Sequence, residues 1–429
     1  MELITYNLTP SAPLDYICTD RFKKSRFSVV MSLPADKKNY AAGALLLPAS
    51  MRGTEKFSDF AALCRRCDEL YAADISDASS LRGGVSVVGL RAQMLDNKYS
   101  TEKEKSEGFD ILDGVMELMS EILFRPLFKE ENIENEKTNL INRIRAQIND
   151  PFGFALRRMR EIMMEGEPGV ILSEDAIDQI RSIKTNQLEK FREYLISAAR
   201  VEFFYCGEEP HERVEALVKK HFAPLLTERE KIKAQSFKKC PDKPKYVDET
   251  GEYGQSNLLI GFRTPSLLDS PDFYAAELAN EIFGEGPVSK LFLNLREKHS
   301  LCYFCGSGYD EINGVVTAGC GIAAGDRKKA EAEIFAQLTQ LKKGKISDAE
   351  LKAAKQAIFS DCLEAEDHPE DYEEFSRMAR AFGGPRTIEE YKKGIAAVNP
   401  EQIAAAAEKY ALDTVYFLRG TQNAEEGEE

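Results

Sequence analysis

Two stretches, Val201-Glu-Phe-Phe-Tyr-Cys-Gly207 and Thr414-Val-Tyr-Phe-Leu-Arg-Gly420, decide how this chain is organised. Each is rich in β-branched and aromatic residues and ends at a glycine, the pattern of a strand running into a turn. Each follows a helix-opening segment, Thr185-Asn-Gln-Leu188 in the first case and Asn399-Pro-Glu-Gln-Ile403 in the second. Further upstream, Arg158-Met-Arg160 is echoed by Arg377-Met-Ala-Arg380. The offset is 219 residues at the arginines and 213 at the strands. An offset of half the chain means a duplicated domain, because solenoid periods are far shorter, about 20–50 residues.

Working outward from these anchors, both halves present one order of elements. A strand comes first, at residues 27–33 and 258–262, then a helix at 59–70 and 275–283. Alternating strand segments follow at 85–90 and 315–322. Next comes a long amphipathic helix, with Ile111, Leu112, Val115, Met116, Met119, Ile122 and Leu123 at helical spacing in one half and Ala330, Ile334, Leu338 and Leu341 in the other. More helices and the closing strand complete each half. Strands separated by grouped helices predict an α+β sandwich with helices on one sheet face. The expected boundaries are a first domain at 1–227, a linker at 228–247 and a second domain at 248–429. The linker assignment rests on a run rich in Lys and Glu, with two prolines and no hydrophobic period.

Composition narrows the function classes. The 429 residues are 43% hydrophobic and 30% charged, which suits soluble globular domains. A net charge of −15 repels phosphate backbones and anionic lipid, so neither nucleic acid nor membrane is an expected partner. No run approaches 18 apolar residues. The opening, Met1-Glu-Leu-Ile-Thr-Tyr-Asn, has neither the basic nor the apolar region of a secretory leader. Nine cysteines, an odd number in a long chain, predict free thiols in a reducing, cytoplasmic setting. The final residues from Asn423 predict a solvated acidic tail.

The segment Phe283-Gly-Glu-Gly-Pro-Val-Ser-Lys-Leu-Phe-Leu-Asn-Leu-Arg-Glu-Lys-His-Ser-Leu-Cys-Tyr303 resembles the second-half signature of the insulinase/pitrilysin superfamily of zinc peptidases, the inverzincins. Met51-Arg-Gly-Thr-Glu-Lys-Phe57, Arg125-Pro-Leu-Phe-Lys-Glu-Glu-Asn-Ile-Glu-Asn-Glu136 and Asn149-Asp-Pro151 resemble further family segments, so the likeness spans nearly the whole chain. It implies an α+β fold: two homologous α/β-sandwich domains (insulinase-like, metalloenzyme LuxS/peptidase-like) that form half of a clamshell.

Active members carry His-x-x-Glu-His, whose two histidines lie one helical turn apart and face one Zn²⁺, with the Glu as general base. A more distant Glu completes the ligand set. Aligned on Gly53-Thr54, the motif falls on Ala44-Leu45-Leu46-Leu47-Pro48, so Ala44 and Pro48 replace the histidines and Leu47 the base. Aligned on Glu136, the distant ligand falls on Arg143, which repels a cation. No histidine precedes His211, so no shift of alignment restores the motif. Read without the family, Ala44–Pro48 is a buried helix edge bent or started by proline.

The second half keeps the family's substrate-handling pair. Arg296 and Tyr303 match an Arg/Tyr pair that, in the family, reaches the metal centre of the opposite half and contacts the scissile carbonyl. Arg brings a fixed charge and Tyr a hydroxyl donor toward a developing oxyanion. The bland reading makes Arg296-Glu297-Lys298 the solvated side of a helix whose apolar side is Leu291, Phe292 and Leu295.

A vacant metal site beside a retained pair is similar to the non-catalytic subunits of heteromeric members, in the bacterial YmfF-like branch. The resemblance implies a chain with no catalytic residue or cofactor of its own, and zinc only in a homologous zinc-peptidase partner. It implies assembly as a heterodimer, or as a homodimer, around a peptide substrate. A non-proteolytic scaffold or binding clamp is the alternative, and an autonomous metallopeptidase with other ligands a third.

Other motifs carry less. Cys64-Arg-Arg-Cys67 and Cys302-Tyr-Phe-Cys305 are far apart in sequence and lack knuckle-turn glycines, so buried thiols are expected rather than a zinc site. His211, His221, His299 and His368 have no ligand spacing and read as surface or capping residues. Gly284-Glu285-Gly286 lacks the Lys-Ser/Thr of a phosphate cradle and reads as a tight turn. No G-x-S-x-G occurs.

Overall fold

In the computed structural model, which describes residues 1–167, 170–229 and 240–421, twelve strands build two sheets. The first contains β1 (Ile4–Thr9), β2 (Ala12–Cys18), β3 (Lys24–Pro34), β4 (Asp74–Asp77), β5 (Ser80–Arg82), β6 (Val85–Leu95) and β7 (Arg200–Gly207). The second contains β8 (Lys245–Gly251), β9 (Ser256–Arg263), β10 (Cys302–Asp310), β11 (Val315–Ile322) and β12 (Ala411–Gly420).

The duplication is written in the strand order. The first sheet runs β1-β2-β7-β3-β6-β4, with β5 also paired to β6, and the second runs β10-β11-β9-β12-β8. Read from the far end, β8, β12, β9, β11 and β10 repeat β2, β7, β3, β6 and β4. The β2/β7 and β8/β12 neighbours are parallel and the other pairs antiparallel, in both sheets. Each closing strand thus lies in the interior of its sheet, which is why 201–207 and 414–420 read as core.

The expected helices form where the apolar spacing placed them. Asp59 caps the helix Phe60–Glu69 by accepting from Ala62 N. Asp110 caps Ile111–Phe124 by accepting from Asp113 N. Asn399 and Gln402 make a reciprocal capping box at Pro400–Glu408. Among the described residues no helix is long and apolar enough to cross a membrane.

The chain divides into two compact units, and the division does not follow sequence order. One comprises Met1–Ile144 and Ile171–Gln235, the other Arg145–Val170 and Ser236–Glu429. The helix Pro151–Met163, expected within a first domain at 1–227, therefore packs with the second sheet. Its Ala155 and Met159 join Leu259, Tyr416 and Leu418 in one buried cluster. Gly261 and Gly319 make room for it: a Cβ at Gly261 would stand 2.8 Å from Met163 Sδ, and one at Gly319 3.0 Å from the Phe152 ring. On the opposite face of β9, Phe262 meets Phe335 and Tyr410. The second sheet is thus covered on both faces rather than one, and β9 is buried throughout, as expected of a strand with two apolar sides.

Arg263 ties the helix end to the sheet. Its Nη2 donates to Met163 O at 3.0 Å and to Glu167, and its Nε donates to Asp413 Oδ2 at 3.2 Å. Lys245 Nζ donates to Ile162 O at 2.6 Å. Half of the expected 228–247 linker, residues 230–239, lies outside the described residues, as does the acidic tail from Asn423. The linker's last residues, from Lys245, already belong to β8.

Candidate functional site

Arg296 lies in a π-helical segment, Phe292–Lys298, and a second π-helical turn spans Glu281–Glu285. Such wide turns are rare and recur at functional sites. The segment is anchored from below. Leu291 and Leu295 are fully buried. Lys290 Nζ donates to Glu350 Oε1 at 2.6 Å, and Asn294 Nδ2 donates to Lys290 O at 2.8 Å. Ser300, with φ of +49°, turns the chain sharply into β10.

That turn brings Arg296 against Tyr303. The guanidinium carbon lies 5.3 Å from the Tyr303 ring centroid and 4.8 Å from that of Phe292, so the cation sits between two aromatic faces. It also pairs with Glu297, Nε to Oε1 at 3.6 Å. Tyr303 is 82% exposed, far above what a phenol with a packing role shows. The structure thus brings together the two residues that the sequence singled out, Arg296 on the π-helical segment and Tyr303 on the outermost strand of the second sheet.

The first unit holds the positions expected for a metal. Ala44, Leu47 and Pro48 lie on the helix Tyr40–Ser50, with Pro48 inside it. Leu47 is fully buried in the first core. Proline lacks the N–H that would bond the Ala44 carbonyl, so the helix loses a bond between the two positions where histidines are expected. Arg143 lies exposed on the helix Glu130–Ala146. Glu136, two turns earlier, is buried and accepts from Arg52 Nε at 2.7 Å. A methyl, an isobutyl group, a proline ring and a guanidinium offer no lone pair to a dication, so this donor set does not fit zinc. Among the described residues no three His, Cys, Asp or Glu side chains gather as a metal-holding group.

Several secondary expectations need adjustment. His221 is not a surface residue: its side chain is 10% exposed and its Nε2 lies 2.5 Å from Asp113 Oδ1. His211 stacks on Tyr6 with ring centroids 4.2 Å apart. Cys18 and Cys64 are exposed and Cys302 half-buried, so the thiols are not uniformly core. None is disulfide-bonded. Gly284 is held by close approach, since a Cβ there would stand 2.7 Å from Ser307 N.

Sequence reasoning missed Glu281. Its carboxyl is pushed up to about 7, chiefly by burial and further by the Glu285 and Asp361 charges. Three glutamates, 277, 281 and 285, recur every fourth residue, and that spacing was the available signal.

The fold is shared with solved M16-like peptidase structures. Residues 182–358 match the family described as Peptidase M16 inactive domain. The chain is similar to inactive homologues of the M16 peptidases. It is 28% identical over 413 residues to the probable inactive metalloprotease YmfF of Bacillus subtilis (strain 168), covering 95% of each chain. It is 22% identical over 308 residues to an uncharacterized zinc protease of Rickettsia felis, covering 69% of this chain and 72% of that one. Among solved structures, a conserved protein from Enterococcus faecalis V583 superposes with a TM-score of 0.88 at 22% identity, over 99% of this chain and 100% of that one. A peptidase M16 inactive domain from Pseudomonas fluorescens gives 0.79 at 18% identity, over 98% and 99%.

Proposed function

We propose that this chain holds peptide for a homologous, zinc-bearing partner and does not cleave peptide bonds by itself. The observation that carries the reading is the exposed phenol of Tyr303 stacked on the Arg296 guanidinium. A guanidinium and an exposed phenol stand together beside a sheet edge, while positions 44, 47, 48 and 143 offer no metal ligand. In water the pair gains little by being there. Against a carbonyl in a closed, low-dielectric site its charge and hydroxyl gain much more.

The edge strand β10 suits the same role. The outer side of an edge strand offers backbone N–H and C=O groups to an extended peptide, which binds through main-chain bonds and with broad sequence tolerance. Peptide recognition by β10 and Arg296/Tyr303, zinc supplied by the partner, a heteromeric assembly and a cytoplasmic location are parts of one proposal.

The test is cleavage of a quenched fluorescent peptide mixture by the chain combined with a zinc-motif homologue from the same genome. Each protein alone is expected to be much slower than the mixture. Arg296→Ala is expected to lower the rate of the mixture roughly 100-fold, as for loss of one oxyanion donor, while leaving co-purification intact. Full activity of the Arg296→Ala mixture favours a scaffold role and overturns the proposal.

A further inference from the structure

Between Cys302 and Cys305 the edge strand carries one residue more than its neighbour. Cys302 pairs with Ile322 and Cys305 with Cys320, so three steps on β10 face two on β11. The result is a β-bulge. Residues opposite one another on an antiparallel ladder share a face, as do residues two apart on one strand. The bulge therefore puts Cys302 and Cys305 on the same side of the sheet as Cys320. A regular strand would send the first two to opposite sides. The bulge also shortens their separation. Two residues of β11 span about 6.6 Å, within the range of roughly 4.4–6.8 Å between Cα atoms that a disulfide bridges. The intervening residues are thrown outward: Tyr303 into solvent, and Phe304 edge-on to Phe152 with centroids 4.9 Å apart.

The two thiols are unlike in access and in charge. Cys302 is half-buried and open to a small reagent, whereas Cys305 and Cys320 are buried. The Cys305 thiol hydrogen-bonds the Cys302 sulfur, and this, with the nearby Arg296 charge, lowers the Cys302 pKa. The same bond, together with burial, raises that of Cys305. One sulfur is thus favoured as thiolate and its neighbour keeps its proton. In the other Cys-x-x-Cys pair, burial pushes Cys67 up to about 11.

We propose that Cys302 and Cys305 form a peroxide-reactive dithiol, with Cys302 as the attacking sulfur and Cys305 as the resolving one. The Cys302 thiolate attacks one oxygen of a hydroperoxide. An S–O bond forms, the O–O bond breaks, and the leaving hydroxide or alkoxide takes up a proton. The resulting sulfenic acid is attacked by the Cys305 sulfur. An S–S bond forms, the S–O bond breaks, and hydroxide leaves with the Cys305 proton as water. The two thiols supply both electrons that reduce the peroxide. The bridge locks the bulge that carries Tyr303. This chemistry goes beyond peptide holding and does not depend on it.

The experiment is treatment of the full-length chain with hydrogen peroxide at one to a few equivalents, followed by alkylation, digestion and mass spectrometry. Trypsin releases residues 299–327 as one piece, and cleavage before Asp310 then separates the pair from Cys320. The expected product is a Cys302–Cys305 bridge that forms roughly tenfold faster than the exposed Cys18 is oxidised. In Cys305→Ser, a sulfenic acid is expected to persist at Cys302 and be trapped by dimedone. Arg296→Ala is expected to slow bridge formation several-fold without moving the thermal transition. Oxidation of Cys302 no faster than Cys18, or a bridge to Cys320 instead, overturns the proposal. Should a variant fail to fold, the bridge position and rate in the unaltered chain still decide the matter.

Discussion

Arg52 closes on Glu136: its Nε donates to Oε1 at 2.7 Å while the Glu136 side chain stays 6% exposed. The carboxylate belongs to the helix that carries Arg143, and the arginine follows the helix that carries Ala44 and Pro48 by two residues. A buried carboxylate left without its cation is strongly destabilising. Arg52 is about one-third exposed, so water replaces part of what it supplies. Arg52→Ala is expected to lower the unfolding free energy by about 2 kcal/mol. Glu136→Gln in the Arg52→Ala background is expected to recover part of it. Denaturant titration checks both, and an Arg52→Ala chain as stable as the parent contradicts the assignment.

Zinc makes a direct test of the donor set at positions 44, 47, 48 and 143. After equilibration with excess zinc and desalting, the chain is expected to retain far less than one equivalent by elemental analysis. One tightly held equivalent, competing with a chelator, contradicts the reading of these positions.

The Arg263 junction should be costly to break. Its guanidinium bonds Met163 O, Glu167 and Asp413, and all three charged side chains are buried. Arg263→Ala strands two buried carboxylates, and a loss of about 3–5 kcal/mol is expected. Asp413→Asn alone should cost less, because Glu167 still pairs with the arginine. The order of the two transition midpoints is the readout.

Glu281 sets a pH dependence. Its carboxyl, 7% exposed, is raised from 4.5 to about 7 by burial first and by Glu285 and Asp361 after that. The folded chain then binds this proton more tightly than the unfolded chain, so the contribution to stability is complete below about pH 4.5 and is lost as pH rises through about 7. Glu281→Gln, which mimics the protonated form, is expected to melt with the parent at pH 5 and above it at pH 8, by roughly 2–4 °C. Equal melting temperatures at pH 8 contradict the shift.

The parts of the fold that were legible in sequence are those where local pattern and global packing agree. The helix Ile111–Phe124 has an apolar stripe and an aspartate cap, and it forms where both point. Strand β11 runs over 315–322 as its alternation predicts. The Arg296/Tyr303 pair was legible because its residues lie close in sequence and its surroundings match a known segment. The bulge was not legible, because register is a property of two strands and only one is visible at a time. The pairing of Asp113 with His221 was hidden for a similar reason, since 108 residues separate them. The placement of Pro151–Met163 was hidden because its stripe of Ala155 and Met159 fits any apolar sheet, and nothing local says which.

That helix fixes what can happen to the chain as a heritable object. Ala155 and Met159 come from the earlier repeat, yet the surface they shield is made of Leu259, Tyr416 and Leu418 from the later one. Severing the gene between the repeats would leave a carboxy-terminal product with a bare, greasy flank and an amino-terminal product with an orphaned helix. With a helix of one repeat covering the sheet of the other, the two halves of the gene can be parted only at the cost of that shield.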